Sequence, residues 1–132
     1  MHRSYTISVP IRRPWRQVYE FLAEPLNLPT WTSGMGGIVH VQGNDWRSDT
    51  ADGPYVFRFA PRNELGVLDF GVAREGTEPV IMPVRVAANG EEGAELVYTA
   101  FQRPGVTDEA FRSQVSWIEA DLLTLKSLLE SR

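Results

Sequence analysis

The feature that most restricts the fold is an amphipathic segment at residues 107–132. Its apolar residues follow one another at steps of four, three, four, three and four, which places them on one face of an α-helix. These residues are Phe111, Val115, Ile118, Leu122, Leu125 and Leu129. Thr107 suits the N-cap, and Asp108 and Glu109 suit the positive end of the helix dipole. A helix about 35 Å long needs a packing partner of matching length, and the preceding chain has strand-like patterns. We therefore expect a sheet wrapped around this helix.

Bulk composition narrows the class of protein. The chain has 132 residues, no cysteine and a formal net charge of -4, so we expect a single domain over residues 1–132 without disulfides. The longest basic run is Arg12-Arg13, which argues against a nucleic-acid partner. No apolar run approaches the roughly 20 residues of a membrane span, and the N-terminal residues lack the apolar core of a signal peptide. We expect a cytoplasmic protein that binds no metal or cofactor.

The order of elements predicts an α+β chain. An alternating strand ends at Ile11, a helix runs from Pro14 to Pro25, and residues 25–31 form at most one short helical turn. Residues 32–37 read as a flexible link. Five strands then precede the long helix: Ile38–Asp49 with a possible bulge at Gly43, Tyr55–Ala60, Leu65–Arg74, Val80–Ala88 and Ala94–Gln102. This β-α-α-β5-α order predicts an antiparallel sheet rather than alternating βαβ units.

Two segments resemble a known superfamily. Residues 7–31 (ISVPIRRPWRQVYEFLAEPLNLPTW) and 117–129 (WIEADLLTLKSLL) are similar to the opening and closing elements of the START-like helix-grip (SRPBCC) superfamily, in its polyketide cyclase/dehydrase-like branch. The resemblance implies a curved sheet gripping the C-terminal helix, with a cavity between them for a hydrophobic or amphipathic ligand such as a lipid or polyketide. It raises the prospect of cyclisation or dehydration but specifies no catalytic residue here.

Hairpin geometry predicts which side chains face that cavity. Turns centred near residues 51, 63, 77 and 91 place one residue from each strand in a single row. That row contains Trp46, Phe57, Phe70, Val84 and Tyr98, with Met82 in the next row. Trp31 precedes the glycine-rich link and either caps the cavity mouth or anchors the short helix. These seven aromatic and apolar residues are the predicted ligand-binding set.

Polar candidates are few. The same geometry places Asp69 between Arg58 and Arg85 on the opposite face, either as an anion site or as a solvated ion triad. His40 is a cavity base or a surface residue, and Asp121 is either solvated at the helix edge or tipped inwards. The Tyr98 hydroxyl orients a ligand carbonyl or satisfies a backbone group.

The opposite face of the sheet also carries apolar residues: Val56, Ile81, Val97 and Phe101. They form a second packing surface, a dimer contact, or a layer buried by strong curvature of the sheet. The sequence is therefore compatible with a monomer and with a homodimer.

For function, the main hypothesis is binding of a small hydrophobic molecule. The alternative is a protein-interaction module whose cavity is filled by its own side chains. Catalysis would require an ionisable side chain inside the cavity.

Overall fold

A computed structural model describes residues 1–50 and 52–132. In that part of the chain the structure has eight strands, two α-helices and one short 3₁₀ helix. In chain order these are β1 (Ser4–Ile11), α1 (Trp15–Ala23), the 3₁₀ helix (Pro25–Thr30), β2 (Met35–Gln42), β3 (Asp45–Thr50), β4 (Gly53–Phe59), β5 (Phe70–Arg74), β6 (Val80–Met82), β7 (Val84–Ala88), β8 (Ala94–Phe101) and α2 (Asp108–Glu130). The α+β prediction is confirmed.

The strands pair antiparallel in two groups. One has the order β2-β3-β4-β5-β6 and the other β1-β8-β7. The chain passes from the first group to the second at Pro83, which separates β6 from β7. Proline has no N–H to donate to a ladder, and its carbonyl accepts instead from the Thr99 N–H at 3.0 Å. The prediction of one continuous strand over residues 80–88 was therefore wrong.

Two other predicted strands also differ. Residues 38–49 form a hairpin rather than one bulged strand: Gln42 pairs with Asp45 across a tight turn, where Gly43 has a φ of +52°. Strand β2 begins at Met35, inside the segment predicted to be a flexible link. The turn predicted near residues 51 and 52 includes Ala51, which lies outside the described residues.

The loop over residues 60–69 replaces the first half of the strand predicted at 65–74. The Asn63 side chain organises it, because its Oδ1 accepts the N–H groups of Leu65 and Val67 at 2.9 and 3.1 Å. Its Nδ2 also donates to the Val67 carbonyl at 2.8 Å. A side chain that satisfies nearby backbone groups in this way competes with strand pairing, and β5 consequently starts only at Phe70.

The predicted strand registers were correct at the tight turns and shifted elsewhere. Trp46 lies opposite Phe57 and Val84 lies opposite Tyr98, as expected. Phe57 faces Val72 rather than Phe70, and Phe70 faces Met82 rather than Val84. Each shift is two residues, which leaves every side chain on its predicted face because side chains alternate with a period of two.

The amphipathic C-terminal helix forms as predicted. The Thr107 Oγ1 accepts the Ala110 N–H at 3.1 Å, which caps the first turn of α2. The apolar stripe is buried at Phe111, Val115, Leu122, Leu125 and Leu129, and Ile118 is half-buried. Its packing partners include Ile7, Val9 and Ile11 of β1 and Val18, Tyr19 and Phe21 of α1.

The far end of α2 is tied to the end of β1. The Lys126 ammonium donates to the Pro10 carbonyl at 2.6 Å, and the Glu130 carboxylate accepts the Arg12 N–H at 2.8 Å. The Lys126 hydrogen bond is the main reason that the pKa of Glu130 is lowered. Within the described residues, neither α-helix combines the length and the apolarity needed to cross a bilayer.

The outer face of the sheets is only partly covered. Ile81 is 54% exposed, while Val56, Val97 and Phe101 are half-buried. Full burial of this face by sheet curvature, one of the three sequence-based alternatives, is therefore not what the structure has.

Candidate ligand cavity

An apolar cavity lies between the 3₁₀ helix, the concave face of the sheets and α2. Among the described residues, the lining is aliphatic and aromatic with no charged side chain: Leu22, Leu28, Trp31, Phe59, Leu68, Phe70, Val84, Leu96, Tyr98 and Leu122. The wall combines residues from both ends of the chain, so it exists only once α2 has packed on the sheet.

The 3₁₀ helix and the residue that follows it supply one side of the cavity, Leu28 and Trp31. Three hydrogen bonds hold this segment in place. Asn27 Nδ2 donates to the Phe21 carbonyl at 3.0 Å, Thr32 Oγ1 donates to the Leu28 carbonyl at 2.8 Å, and the Ser33 N–H donates to Asp121 Oδ1 at 3.2 Å. The first of these bonds joins the segment to α1 and the last joins it to α2.

Aromatic rings form the opposite wall. The ring centroids of Phe59 and Phe70 are 6.4 Å apart, and Phe70 meets Tyr98 edge-on at 6.1 Å. Such edge and tilted contacts are favourable arrangements of aromatic side chains. They hold the Tyr98 ring against the sheet and leave it only 8% exposed.

The seven predicted ligand-binding residues separate into two groups. Trp31, Phe70, Val84 and Tyr98 line the cavity. Trp46 is half-buried beside His40, with ring centroids 5.0 Å apart. Phe57 is buried and stacks on Phe59 at 6.4 Å, and Met82 is 2% exposed in the core. The predicted row shares one face of the sheet, but the cavity occupies only one end of that face.

Six lining residues were not in the predicted ligand-binding set, and two of them, Leu96 and Leu28, were not considered at all. Leu96 lies two residues before Tyr98 on β8, so the alternation that located Tyr98 would also have located Leu96. Leu28 lies between Pro25 and Pro29, where the sequence has no periodicity to interpret. The other four are Leu22, Phe59, Leu68 and Leu122, of which Leu122 belongs to the predicted apolar stripe of the C-terminal helix.

The cavity is small. The volume open to the centre of a water molecule is about 40 Å³, which holds roughly three waters at 10–15 Å³ each. That is below the roughly 150 Å³ of an engineered cavity that binds benzene and far below the roughly 300–1,000 Å³ of sites for drug-sized ligands, so the lining must move outwards to admit a single ring.

Tyr98 is the one ionisable side chain among the lining residues. Burial raises its pKa, and the negative charge of the Asp121 carboxylate raises it further. No hydrogen bond from a described residue to the Tyr98 hydroxyl contributes to that shift. The hydroxyl therefore stays protonated at neutral pH and can donate a proton to a hydrogen bond. Asp121 itself is half-buried. Its exposure is therefore intermediate between the two sequence-based alternatives, a solvated side chain at the helix edge and one tipped into the cavity.

The other polar candidates lie outside the cavity. Half of the predicted triad is confirmed, because Asp69 binds Arg85 at 3.0 Å. The other half is wrong, because Arg58 binds Asp45 at 2.7 Å. Asp45 follows a hairpin turn that was not predicted, and it lies directly opposite Arg58 on the neighbouring strand. Arg58 therefore pairs with Asp45 instead of Asp69. His40 lies on the exposed strand β2, with Nε2 2.8 Å from the Gly43 carbonyl oxygen. Among the described residues, no cluster of three or more His, Asp or Glu has the geometry of a metal site.

A larger, open groove of about 500 Å³ lies where α1 meets the end of α2, and its lining includes Arg13, Arg16 and Arg132. Each of these arginines already has a partner. Arg13 donates to the Glu130 carbonyl at 3.0 Å, Arg16 binds Glu64 at 3.2 Å, and Arg132 lies 4.8 Å from the Phe21 ring centroid. The groove is an open surface edged by charged side chains that already have partners, and the more enclosed apolar cavity is the better candidate site.

Comparison with known proteins identifies the fold. Neither a protein-family model nor a functionally curated protein matches the sequence. Solved structures do match in three dimensions. A conserved protein from Geobacillus kaustophilus superposes with a TM-score of 0.79 at 10% identity, covering 98% of this chain and 96% of that one. A START superfamily protein from Mycobacterium smegmatis gives 0.75 at 11% identity, covering 99% of both chains.

A third match is the Zhui aromatase/cyclase from a Streptomyces species, with a TM-score of 0.72 at 14% identity over 99% of this chain and 93% of that one. At such identities the likeness describes the backbone and not the activity. The match covers nearly the whole of this chain, including its antiparallel strands, its two short helices and the long helix α2. The chain therefore has the START-like helix-grip fold.

Proposed function

We propose that this protein binds a small hydrophobic molecule, no larger than a single ring, in the cavity between the 3₁₀ helix, the sheet and α2, which widens to admit it. The observation that carries the proposal is an apolar cavity whose described lining includes Tyr98 and no charged side chain. Transfer of a ring from water into this lining is favourable by roughly 25 cal/mol for each Å² of apolar surface that it buries.

Size distinguishes this proposal from binding of a whole lipid or a multi-ring polyketide. The cavity accommodates roughly three waters, so a larger ligand requires the 3₁₀ helix to move away from α1 and α2. Among the described residues, such a movement breaks the side-chain hydrogen bonds that join this segment to α1 and α2, from Asn27 to Phe21 and from Ser33 to Asp121. A larger ligand is therefore compatible with an opened state and not with the closed one.

The chemistry of the wall favours binding over catalysis. Cyclisation and dehydration need a group that accepts a proton during the reaction. Tyr98 is the one ionisable side chain in the lining, and its raised pKa makes it a poor base at neutral pH. Asp69, Asp45 and His40 are outside the cavity, as described above. We therefore assign no reaction to this site.

A second candidate function is a protein-interaction module whose interior is filled by its own side chains. The small cavity volume favours it, because packing defects of this size also occur in ordinary protein cores. The two proposals differ in whether an apolar probe enters the cavity at all.

Binding is tested by titrating the isotopically labelled protein with methylenecyclohexane, an uncharged single ring, and following the amide NMR spectrum. The proposal expects saturable shifts at Leu28, Tyr98 and Leu122. Leu68→Trp should fill the cavity and abolish these shifts. Leu65→Trp is the matched control, since Leu65 is on the same loop but 81% exposed, and it should bind as the wild type does. Unchanged spectra in a folded wild-type protein would favour the filled-interior module.

A further inference from the structure

Tyr98 is held rigidly with its hydroxyl unpaired. Its backbone lies between Ile7 of β1 and Val84 of β7 in the central strand of the three-stranded sheet, and its ring packs edge-on against Phe70 at 6.1 Å. The ring therefore cannot swing out to water. Tyr98 is 8% exposed, and its hydroxyl makes no hydrogen bond to a described residue, so a bound molecule that accepts that hydrogen bond gains about 0.5–1.5 kcal/mol net.

The remaining lining limits what such a molecule can carry. Trp31 is the other lining residue with a polar side-chain atom, and its indole N–H is a donor only. No cationic side chain is among the lining residues, while the Asp121 carboxylate lies close enough to act on Tyr98 electrostatically. An anionic ligand would lose its hydration and meet a negative charge, which is unfavourable in an apolar site.

From this arrangement we infer that the natural ligand is an uncharged ring-sized molecule with one hydrogen-bond-accepting oxygen, a ketone or ether, which receives the Tyr98 hydroxyl proton in a hydrogen bond. This inference rests on the proposed function and adds the ligand class. Tyr98 acts as the polar anchor that orients the ligand, and Asp121 acts as the group that excludes carboxylates.

Three probes of similar shape separate these statements: methylenecyclohexane, cyclohexanone and cyclohexanecarboxylate. A ketone gives up hydrogen bonds to water when it enters the cavity, so the informative quantity is the ratio of its affinity to that of the alkene. Tyr98→Phe removes only the hydroxyl and should lower this ratio about three- to tenfold, as expected for one net hydrogen bond. The affinity of the alkene should change less than twofold.

The carboxylate tests the role of Asp121. At neutral pH it should not bind the wild-type protein at concentrations that saturate with the ketone. Asp121→Asn keeps an oxygen that can accept the Ser33 N–H but removes the charge, and it should raise carboxylate affinity at least about fivefold. If Tyr98→Phe does not fold, Asp121→Asn still tests whether the ligand is uncharged.

The outcomes are separable. If the alkene binds but the ketone-to-alkene ratio is the same in wild type and Tyr98→Phe, the anchor role is wrong and the proposed function stands. Wild-type binding of the carboxylate as tight as that of the ketone would overturn the uncharged class. If none of the three probes binds, the proposed function fails and this inference fails with it.

Discussion

The Asp69 carboxylate accepts two hydrogen bonds from the Arg85 guanidinium, from Nε and from one Nη, each at 3.0 Å. The same carboxylate accepts the Val84 N–H at 2.9 Å. Asp69 lies between Leu68 and Phe70, and all three of Leu68, Phe70 and Val84 line the cavity. This pair on the outer surface therefore joins the loop at residues 60–69 to the start of β7 and holds one wall of the candidate site.

Acid should weaken this connection. The Arg85 hydrogen bonds hold the pKa of Asp69 below its ordinary value, so the pair stabilises the fold above about pH 4 and loses that contribution as the pH falls through the lowered pKa. We expect Asp69→Asn to reduce the free energy of unfolding by about 1–2 kcal/mol at pH 7. The difference from wild type should shrink towards pH 2.

Urea unfolding at several pH values measures this effect. Glu64→Gln is the control. Glu64 pairs with Arg16 at the surface, and its side chain is 84% exposed. This substitution should therefore leave the free energy of unfolding within about 0.5 kcal/mol of the wild-type value at every pH. An Asp69→Asn difference that stays constant down to pH 2 would show that the carboxylate's charge is not what stabilises the wall.

Leu122 and Leu123 are neighbours on α2 with opposite environments. Leu122 is 1% exposed and Leu123 is 57% exposed. Leu122→Ala should lower the free energy of unfolding by about 2–5 kcal/mol, because it removes buried methyl groups and leaves a cavity. Leu123→Ala should change it by less than about 0.5 kcal/mol. Similar losses for the two variants in urea unfolding would contradict the orientation of α2 described here.

Gly66 lies where the backbone leaves no room for a side chain. Its φ is +76°, and an added Cβ would lie 2.1 Å from the Val86 carbonyl oxygen. Gly90 has a similar φ of +72° with no atom within 4 Å of such a Cβ. Gly90→Ala should therefore cost about 1 kcal/mol for the left-handed backbone alone. Gly66→Ala should cost at least twice that and displace the loop that carries Leu68. Equal losses in thermal unfolding would mean that the loop moves aside freely.

Ser48 is a buried polar residue without compensation. It is 1% exposed, and its hydroxyl has no hydrogen-bond partner within the described part of the chain. Ser48→Ala removes that unpaired hydroxyl and should leave the free energy of unfolding unchanged or raise it by up to about 1 kcal/mol. Ser8→Ala, which removes the exposed hydrogen bond to Glu95, should instead lower it slightly. A loss above about 1 kcal/mol for Ser48→Ala would reveal a partner for the hydroxyl.

Local patterns predicted much of the fold correctly. The stripe on α2, the buried face of β1 and the pairing of Val84 with Tyr98 all follow from periodicity within one element or across one tight turn. The register shifted by two residues where the turn was longer than assumed, between Phe57 and Val72 and between Phe70 and Met82. Alternation is unchanged by a shift of two, so it could assign the face but not the partner.

Breaks in the strands were harder to predict than faces. Pro83 and Gly43 were visible in the sequence, but the alternating apolar residues around them favoured continuous strands. Pro83 has no N–H to donate, so strand pairing is interrupted there and the following residues pair in the other sheet. Gly43 and Asn44 form the two-residue turn between β2 and β3. Both choices depend on which strands are available as neighbours, and that is settled by tertiary packing.

By itself the sequence determined the helix stripe, the aromatic face of the sheet and the presence of one hydroxyl, that of Tyr98, on that face. Only the tertiary structure decided that Leu28 reaches the cavity, that Asp121 acts on Tyr98, and that the space between the layers is small. The physical reason is that periodicity is a property of one element's backbone geometry. A cavity volume is what remains between surfaces that are distant in the chain, and it depends on how closely every side chain between them packs.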